Sequence, residues 1–162
     1  MVNDLSSSAR RVQSALDRLG LPCQVVELAA STRSAQEAAD AVGTTVGQIV
    51  KSLVFRAGRS GQAVLVLASG SNRVDEKLLA SLLGEPVAKA DADFVREQTG
   101  FAIGGVPPLG HVQSLTTFID QDLLQYNEVW AAGGTPQAVF CLNPPDLERM
   151  SGGIFTVIKK LA

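Results

Sequence analysis

The segment QIVKSLVFRAGRSGQAVLVLAS, residues 48–69, contains two apolar runs separated by a short polar loop. Glycines flank that loop, Gly58-Arg59-Ser60-Gly61, as is typical of a β-hairpin. Both runs are almost continuously hydrophobic, which predicts strands covered on both faces. The segment therefore predicts the buried centre of a sheet.

The rest of the chain interleaves helical and extended patterns. Amphipathic spacing, capping residues and terminal glycines predict helices over 8–19, 35–42, 74–83 and 91–98, and a short one from 144. Apolar runs predict further strands over 23–28, 101–103, 116–119, 128–132, 138–142 and 154–158. The order lacks the regular period of a doubly wound fold, so we expect a mixed α/β fold with helices packed against a mixed sheet.

Length and composition limit the class of protein. A chain of 162 residues is long enough for one ordinary core, so we expect one domain over residues 1–162. No apolar run approaches the roughly 20 residues of a membrane helix, and the N-terminal segment lacks the apolar stretch of a secretory signal, so we expect a cytoplasmic protein without a membrane partner. The net charge of −2 and pI near 5.4 argue against a duplex DNA partner. A local basic patch over a short nucleic-acid end is compatible with both values.

The cysteines and the histidine argue against a metal. Cys23 and Cys141 lie far apart in apolar segments and form no CxxC pair, so we interpret both as buried thiols. His111 is the single histidine, which excludes a site built on two imidazoles. We expect neither a metal nor a cofactor.

Lys51 lies near the centre of the first apolar run. On a strand it shares a face with Leu53 and Phe55, so its ammonium begins among apolar neighbours. Lysine is rarely buried without a partner, because desolvating its charge is costly. Its position alone leaves two interpretations open: an edge lysine that reaches water, or a pocket lysine that meets an anionic or polar ligand.

The loop GGVPPLGH, residues 104–111, combines three glycines with two prolines. Glycine leaves backbone N–H groups uncovered and proline fixes the loop shape, so such a loop can hold a carbonyl or an oxyanion. A rigid turn is the alternative. The chain lacks GxxxxGK[ST] and GxGxxG, so this is no nucleotide phosphate loop. A later pair, Gly133-Gly134, is compatible with a bulge, a turn or exposed backbone.

Three motifs in this order carry a family resemblance: QIVKSLVF (48–55), GFAIGGVPPLGH (100–111) and EVWAAGGTP (128–136), with NRVDEKLLASLLG (72–84) between the first two. Together they resemble the YbaK and prolyl-tRNA synthetase editing-domain superfamily, and within it the free-standing ProX proteins. The resemblance covers about residues 8–150. It implies a single mixed α/β domain around a curved, barrel-like sheet surrounded by helices.

The resemblance implies a hydrolase that removes a wrongly attached amino acid from tRNA, most typically alanine or cysteine from proline tRNA. A synthetase pocket built for proline cannot strongly reject a smaller side chain, so a second site must hydrolyse what passes the first. The implied partners are the acceptor end of an aminoacylated tRNA and prolyl-tRNA synthetase. The implied chemistry is direct attack by a water, positioned by the loop backbone and by the ribose hydroxyl of the substrate, without metal or cofactor.

The resemblance also assigns site residues. Lys51 matches the family's pocket lysine, and Gly104-Gly105-Val106-Pro107-Pro108 matches its GxxxP loop, whose backbone surrounds the aminoacyl ester. Gly133 and Gly134 match a glycine pair on the opposite wall. We expect Lys51 to orient the terminal adenosine or a neighbouring phosphate and to stabilise charge at the ester, rather than to act as a general base.

Two neighbours of these motifs carry less defined expectations. Ser52 follows the lysine at a position where asparagine accompanies alanine removal and threonine accompanies cysteine removal in family members, so serine fits neither pattern. His111 follows the GxxxP core, where a hydrogen-bonded structural or rim role is favoured over acid–base chemistry. Both residues are candidates for substrate binding.

Five further residues are candidates for the pocket or for contact with tRNA, and each also has a simpler structural explanation. Thr32, Ser69 and Asp75 are candidates for lining or rimming the pocket, with surface or capping roles as the alternative. Arg33 and Arg73 are candidates for tRNA backbone contact, although isolated arginines are usually solvated.

Two other functions remain open at this point. One is a non-catalytic module that binds tRNA or aminoacyl-adenosine, from which only turnover would separate an enzyme. The other is a small nucleic-acid-binding regulator. The acidic balance and the lack of a helix-turn-helix signal count against the regulator.

Overall fold

The computed structural model describes residues 5–30, 32 and 34–161, so Arg33 and its predicted RNA contact lie outside the described residues. The helices are α1 (Ser7–Arg18), α2 (Ala35–Val42), α3 (Glu76–Leu83), α4 (Ala92–Thr99) and α5 (Asp146–Ser151). The strands are β1 (Val26–Glu27), β2 (Ile49–Ala57), β3 (Ala63–Ser69), β4 (Val87–Lys89), β5 (Thr116–Asp120), β6 (Val129–Ala132), β7 (Ala138–Leu142) and β8 (Ile154–Thr156). Within the described ranges, no helix is both long and apolar enough to cross a membrane.

One mixed sheet organises the fold. Its order is β1-β7-β6-β2-β3-β5-β8, and β4 pairs with β2 beside that path. The predicted hairpin is confirmed, since β2 and β3 are antiparallel from Val50 opposite Ser69 to Arg56 opposite Ala63. The β2–β6 and β3–β5 pairs are parallel. The predicted mixed α/β class is therefore confirmed.

The central strand β3 is buried along its whole length, as the continuous hydrophobicity predicted. Successive residues of a strand point to opposite faces, and the two faces of β3 join different core clusters. Leu65 shares one cluster with Leu16 of α1. Val66 shares the other with Leu79 of α3. Helices on both faces thus hold the hairpin in place.

Two predicted strands require correction. Residues 101–103 form no strand, because α4 ends at Gly100 with φ of +84° and the chain then turns inward. Phe101 becomes a buried anchor whose backbone N–H donates to Thr99 Oγ1 at 3.0 Å. The strand predicted over 23–28 pairs only as the two-residue β1. β4 was not predicted, since its three residues carry too short a pattern.

Helix α3 begins later than the predicted Val74, at Glu76. The cause is Asp75, whose side chain accepts the backbone N–H groups of Lys77 and Leu78 at 3.0 and 3.1 Å. These donors have no partner inside the helix, so the carboxylate satisfies both. Asp75 is therefore a helix cap, the alternative that its position left open.

We expect Asp75→Ala to lower the free energy of unfolding by about 1 kcal/mol, because the cap is lost. Asp75→Asn, which keeps the acceptor, should lose far less. Urea denaturation of both variants beside the wild type measures the difference. Equal stability of the alanine variant and the wild type would contradict the capping role.

Candidate functional site

A pocket of about 290 Å³ opens between α2 and the sheet. Its walls are mainly apolar, formed by Ala35, Ala38, Val42, Ile49, Trp130 and Val139. Polar groups come from Thr32, Ser34, Lys51 and Ser52. The loop after α4 closes one side with Ile103, Gly104 and Val106. Apolar walls with a few convergent polar groups are the usual form of a small-ligand site.

Helix α2 forms one wall because its start is fixed. Ser34 Oγ accepts a hydrogen bond from the backbone N–H of Glu37, and Glu37 Oε1 accepts one from the backbone N–H of Ser34. The predicted capping box is therefore confirmed. Ala39 is fully buried and shares a small core cluster with Ile49 of β2. Just before the helix, Thr32 Oγ1 donates to the backbone carbonyl of Pro136 at 2.5 Å. The pocket wall is thereby tied to the loop before β7.

The edge of β2 that faces the pocket is interrupted. β6 pairs with β2 only at Ile49 and Val50, and β4 pairs with it only from Phe55 onward. Val54 O accepts the N–H of Ala90 on this side, and backbone groups alternate between the two edges. The N–H and C=O of Ser52 therefore also point to this edge, where neither neighbouring strand pairs with them.

The side chain of Ser52 adds a third polar group to the gap. Its Oγ is buried and has no hydrogen-bond partner among the described residues. A buried hydroxyl without a partner carries a free-energy penalty, since it has lost water and gained nothing. Ser52 also lines the pocket, so this hydroxyl lies close to the space where a ligand would bind.

Lys51 lines the same pocket and is half-buried. Its Nζ donates to the backbone carbonyl of Asn72 at 2.5 Å. Burial lowers the pKa of Lys51, Asp120 opposes that shift, and Arg73 adds to it. Among the described residues, the Asn72 carbonyl is the acceptor of this ammonium, and it is neutral, so the charge stays available for an anionic or carbonyl-bearing ligand that reaches it.

The sequence interpretation missed the polar network that positions the acceptor of Lys51. Asn72 Nδ2 donates to Asp120 Oδ2 at 2.8 Å and to Asp122 Oδ2 at 2.9 Å. Asp122 also pairs with Lys159 at 2.8 Å. Asp120 is buried, and its Oδ2 accepts the backbone N–H of Ser69. A carboxylate at the end of an apolar strand, as in TTFID, is the signal that could have indicated this network.

Arg73 was predicted to contact tRNA. It lies close enough to Lys51 to disfavour a second positive charge there, which places it beside the lysine end of the pocket. Its role toward RNA stays a prediction.

The GGVPP loop contributes to the pocket through its first half. Gly104 and Val106 line it, whereas Gly105 packs so closely on Thr135 that a Cβ atom would lie 2.7 Å from the Thr135 Cα. Gly105 N–H donates to the carbonyl of Ala102 at 2.9 Å. Among the described residues, the N–H groups of Gly104 and Val106 have no hydrogen-bond acceptor. They are the loop's two candidate donors for a substrate oxygen.

The second half of the loop is held from behind. Pro107 and Pro108 are buried and do not line the pocket. His111 Nε2 donates to the carbonyl of Pro107 at 2.7 Å, and its ring meets Phe101 edge-on with centroids 6.4 Å apart. Arg11 stacks over the other side of this group, 4.5 Å from the Phe101 centroid. His111 therefore supports the loop rather than the pocket, which is the structural role that the sequence favoured.

Three other predicted residues lie just behind the pocket. Ser69 is fully buried, and its Oγ donates to the carbonyl of Gly47 at 2.7 Å. A Cβ at Gly133 would lie 2.8 Å from Val25, and one at Gly134 would lie 2.7 Å from the carbonyl oxygen of Ser8. The glycine pair thus permits close packing of β6 against its neighbours, while the pocket wall itself is formed by Ala131 and Ala132. Substrate contact by these three residues stays a prediction.

Neither cysteine is placed for metal or redox chemistry. Cys23 is buried, whereas Cys141 is only half-buried, which corrects the expectation of two buried thiols. Cys141 Sγ donates to Glu128 Oε2 at 2.8 Å, and burial together with that carboxylate raises its pKa to about 12. The part of the chain that the structure describes contains no group of three side chains able to hold a metal ion.

The sequence and the fold match known proteins. Residues 29–150 match the family model of the aminoacyl-tRNA editing domain. The uncharacterized protein YwhH from Bacillus subtilis (strain 168) is 32% identical over 127 residues, 78% of this chain and 80% of that protein. A protein from Enterococcus faecalis (strain ATCC 700802 / V583), described as "Putative Cys-tRNA(Pro)/Cys-tRNA(Cys) deacylase EbsC", is 27% identical over 126 residues, 77% of this chain and 76% of that protein.

A solved structure extends the match to almost the whole chain. It is described as a "putative trans-editing enzyme for prolyl tRNA synthetase" and superimposes with a TM-score of 0.92 at 53% identity, covering 98% of this chain and 100% of that one. The chain therefore belongs to the aminoacyl-tRNA editing-domain family, and it is related to prolyl-tRNA trans-editing proteins. The family resemblance drawn from the three motifs is confirmed.

The buried position of His111 predicts a pH-dependent stability. Burial lowers its pKa, against the opposing hydrogen bond to Pro107, so the unfolded chain, with a histidine pKa of about 6.5, binds the proton more tightly. The contribution of neutral His111 to the free energy of unfolding is complete above about pH 6.5. It is lost as the pH falls through the lower pKa that His111 has in the folded state. We expect His111→Gln, which keeps an N–H for Pro107, to flatten the fall in unfolding free energy below that pH.

Urea denaturation across a pH series measures this effect. If the unfolding free energies of His111→Gln and the wild type changed in parallel with pH, His111 would not be the cause of the pH dependence.

Proposed function

We propose that this protein is a trans-acting aminoacyl-tRNA deacylase that hydrolyses the ester of a mischarged tRNA, with alanine or cysteine on proline tRNA as the first candidates. The observation that supports the proposal is one pocket lined by Lys51, by the open β2 edge at Ser52, and by Gly104 and Val106, whose N–H groups have no acceptor among the described residues. Membership of the editing-domain family supports it. The names of the related proteins favour proline tRNA and a link to prolyl-tRNA synthetase.

The size of the pocket suits a small aminoacyl group. At about 290 Å³ it lies at the lower end of ligand sites, which commonly span roughly 300–1,000 Å³. The apolar walls from Ala38, Val42 and Ile49 suit a short side chain. A large side chain has no room there together with the ester and part of the ribose. This is the size selection that a second sieve requires.

The pocket offers separate groups for the parts of the ester. The N–H groups of Gly104 and Val106 are candidates for the carbonyl oxygen, on which negative charge grows as water attacks. Lys51 is the candidate for a neighbouring phosphate or the same developing charge. Attack forms a bond from the water oxygen to the carbonyl carbon. The bond from that carbon to the ribose oxygen then breaks, and that oxygen takes up the proton lost by the attacking water, which leaves a free ribose hydroxyl and the free amino acid.

Catalysis in this scheme rests on placement and charge stabilisation. His111 is engaged with Pro107 behind the loop, so no histidine faces the pocket as a base among the described residues. The attacking water would be held by loop backbone and by the substrate's own ribose hydroxyl. We propose no metal or cofactor. The same function places the protein in the cytoplasm, where aminoacyl-tRNA is used.

The first test is deacylation of proline tRNA carrying alanine, cysteine, serine or proline. We expect release of one small non-cognate amino acid, with prolyl-tRNA spared. Lys51→Met, which keeps the length of the side chain without its charge, should lower kcat/KM on the order of 100-fold, as expected for one lost charge-stabilising group. Lys89→Met, an exposed lysine on β4, serves as the control and should leave the rate unchanged.

The same assay separates an enzyme from a binding module. No release above buffer for any of the four esters, with tRNA binding retained, would overturn the deacylase proposal. It would leave recognition of the aminoacyl end as the function of the pocket.

Ser52 gives a second test in which activity and stability move differently. We propose that its Oγ, buried without a partner, bonds the substrate. Ser52→Ala should therefore lower kcat/KM by about 2- to 10-fold, the value of one neutral hydrogen bond, while the free energy of unfolding stays equal or rises. Ser151→Ala is the matched control, since its Oγ bonds the carbonyl of Leu147 on α5 and the residue does not line the pocket. It should lose about 1 kcal/mol of stability.

Deacylation rates and urea denaturation of the two serine variants give both readouts. Unchanged activity of Ser52→Ala would show that the Ser52 hydroxyl does not bind the substrate.

A further inference from the structure

Helix α1 carries a concentrated positive charge on its exposed side. Arg10, Arg11 and Arg18 are exposed, while Val12 and Leu16 on the opposite side are fully buried. The exposed side borders a shallow groove, separate from the pocket, that is lined by Ser7, Arg10, Arg11, Ser14, Arg18 and Gly110. We call this surface the arginine face.

Among the described residues, no ion pair neutralises the charges of the arginine face. In the described part of the chain, the ion pair present is that of Lys159 and Asp122, far from α1 in sequence. The single acidic residue of α1 is Asp17, which lies at the edge of the face and accepts a hydrogen bond from Gln13 at 3.0 Å. A chain with a net charge of −2 thus concentrates three of its fourteen basic residues within nine positions.

The spacing of the arginines suits an extended polyanion. Arg11 and Arg18 are seven residues apart, which is about 10.5 Å along a helix. A nucleic-acid strand carries a phosphate roughly every 3.4 Å along the axis of a duplex, so this distance spans more than one phosphate. Ser7 and Ser14 line the same groove and add hydroxyl donors of the kind that bind phosphate oxygens.

The arginine face and the pocket lie on either side of one loop. Gly104 at the start of the loop lines the pocket, and Gly110 at its end lines the groove beside the arginines. Six residues span at most about 22 Å even when extended. Arg11 Nη2 also donates to the carbonyl of Gly100 at 2.7 Å, which fixes α1 to the start of this segment. A nucleic acid whose end enters the pocket therefore has the arginine face within reach.

We propose that Arg10 and Arg18 bind the phosphate backbone of the RNA whose aminoacylated end occupies the pocket. This inference rests on the proposed function, because that function is what makes the polyanion an RNA. Arg11 is partly engaged with Gly100 and Phe101, so Arg10 and Arg18, which have no side-chain partner in the described ranges, carry most of the contact. Their contribution is to affinity and placement of the RNA, and the ester itself is handled by the pocket.

The test compares the double variant Arg10→Gln/Arg18→Gln with the wild type in two assays, one of tRNA binding and one of ester hydrolysis. Affinity for uncharged tRNA is measured over a series of salt concentrations, and hydrolysis is measured on a small alanyl ester of adenosine. We expect the slope of log K against log salt to fall by about 1 to 2, since each lost phosphate contact removes roughly 0.7 to 0.9. Hydrolysis of the small ester should be unchanged, because it has no backbone to bind.

The matched control is Arg59→Gln/Lys160→Gln, which removes two exposed positive charges elsewhere and gives the same net charge. It should keep the wild-type salt slope. Equal salt slopes for the α1 variant and the wild type would overturn the proposal. An equal decrease in slope for the control variant would also overturn it, because it would indicate a general effect of net charge. If the wild type hydrolyses neither aminoacyl-tRNA nor the small adenosine ester, but tRNA binding still depends on Arg10 and Arg18, the deacylase proposal is wrong. The proposed RNA-binding role of the arginine face is then retained.

Discussion

The structure depends on how β2 is paired. One edge is fully paired with β3, which fixes the strand in the core, and the other edge is shared between β6 and β4. The unpaired residues between these two partners would be costly in a closed interior, because backbone N–H and C=O groups need partners. The gap is tolerable because a pocket opens there, where water or a ligand can supply those partners. The site is thus a consequence of sheet topology.

The same topology explains why a lysine can occupy a central strand. Lys51 lies opposite Ala68 and shares its side of β2 with apolar residues, so its ammonium needs a compensating acceptor. The carbonyl of Asn72 supplies it, and Asn72 is itself anchored by Asp120 and Asp122. A neutral acceptor attached to the buried carboxylate of Asp120 and the partly exposed one of Asp122 positions the lysine without neutralising it directly. A direct ion pair would leave less of its charge for a ligand.

The sequence predicted the elements whose signals are local. The hairpin and the capping box at Ser34 each follow from residue types within a few positions of one another, whereas the position of Lys51 alone left a pocket role and an edge role open. Phe101 was misjudged because an apolar run after a helix reads as a strand, while its actual role is to anchor a loop from inside the core. The interrupted edge of β2 was beyond prediction, since it depends on where β4 and β6 end along a strand distant from both.

The glycines show why motif residues and site residues are not the same set. Gly104 faces the pocket, whereas a Cβ at Gly105 would meet the backbone of Thr135, one at Gly133 the side chain of Val25 and one at Gly134 the backbone of Ser8. The contact of Gly105 with Thr135 packs the loop closely against the segment after β6. That packing holds the N–H groups of the loop still before any substrate arrives. Donors fixed in advance need no reorganisation when charge develops, which is the condition under which backbone groups catalyse best.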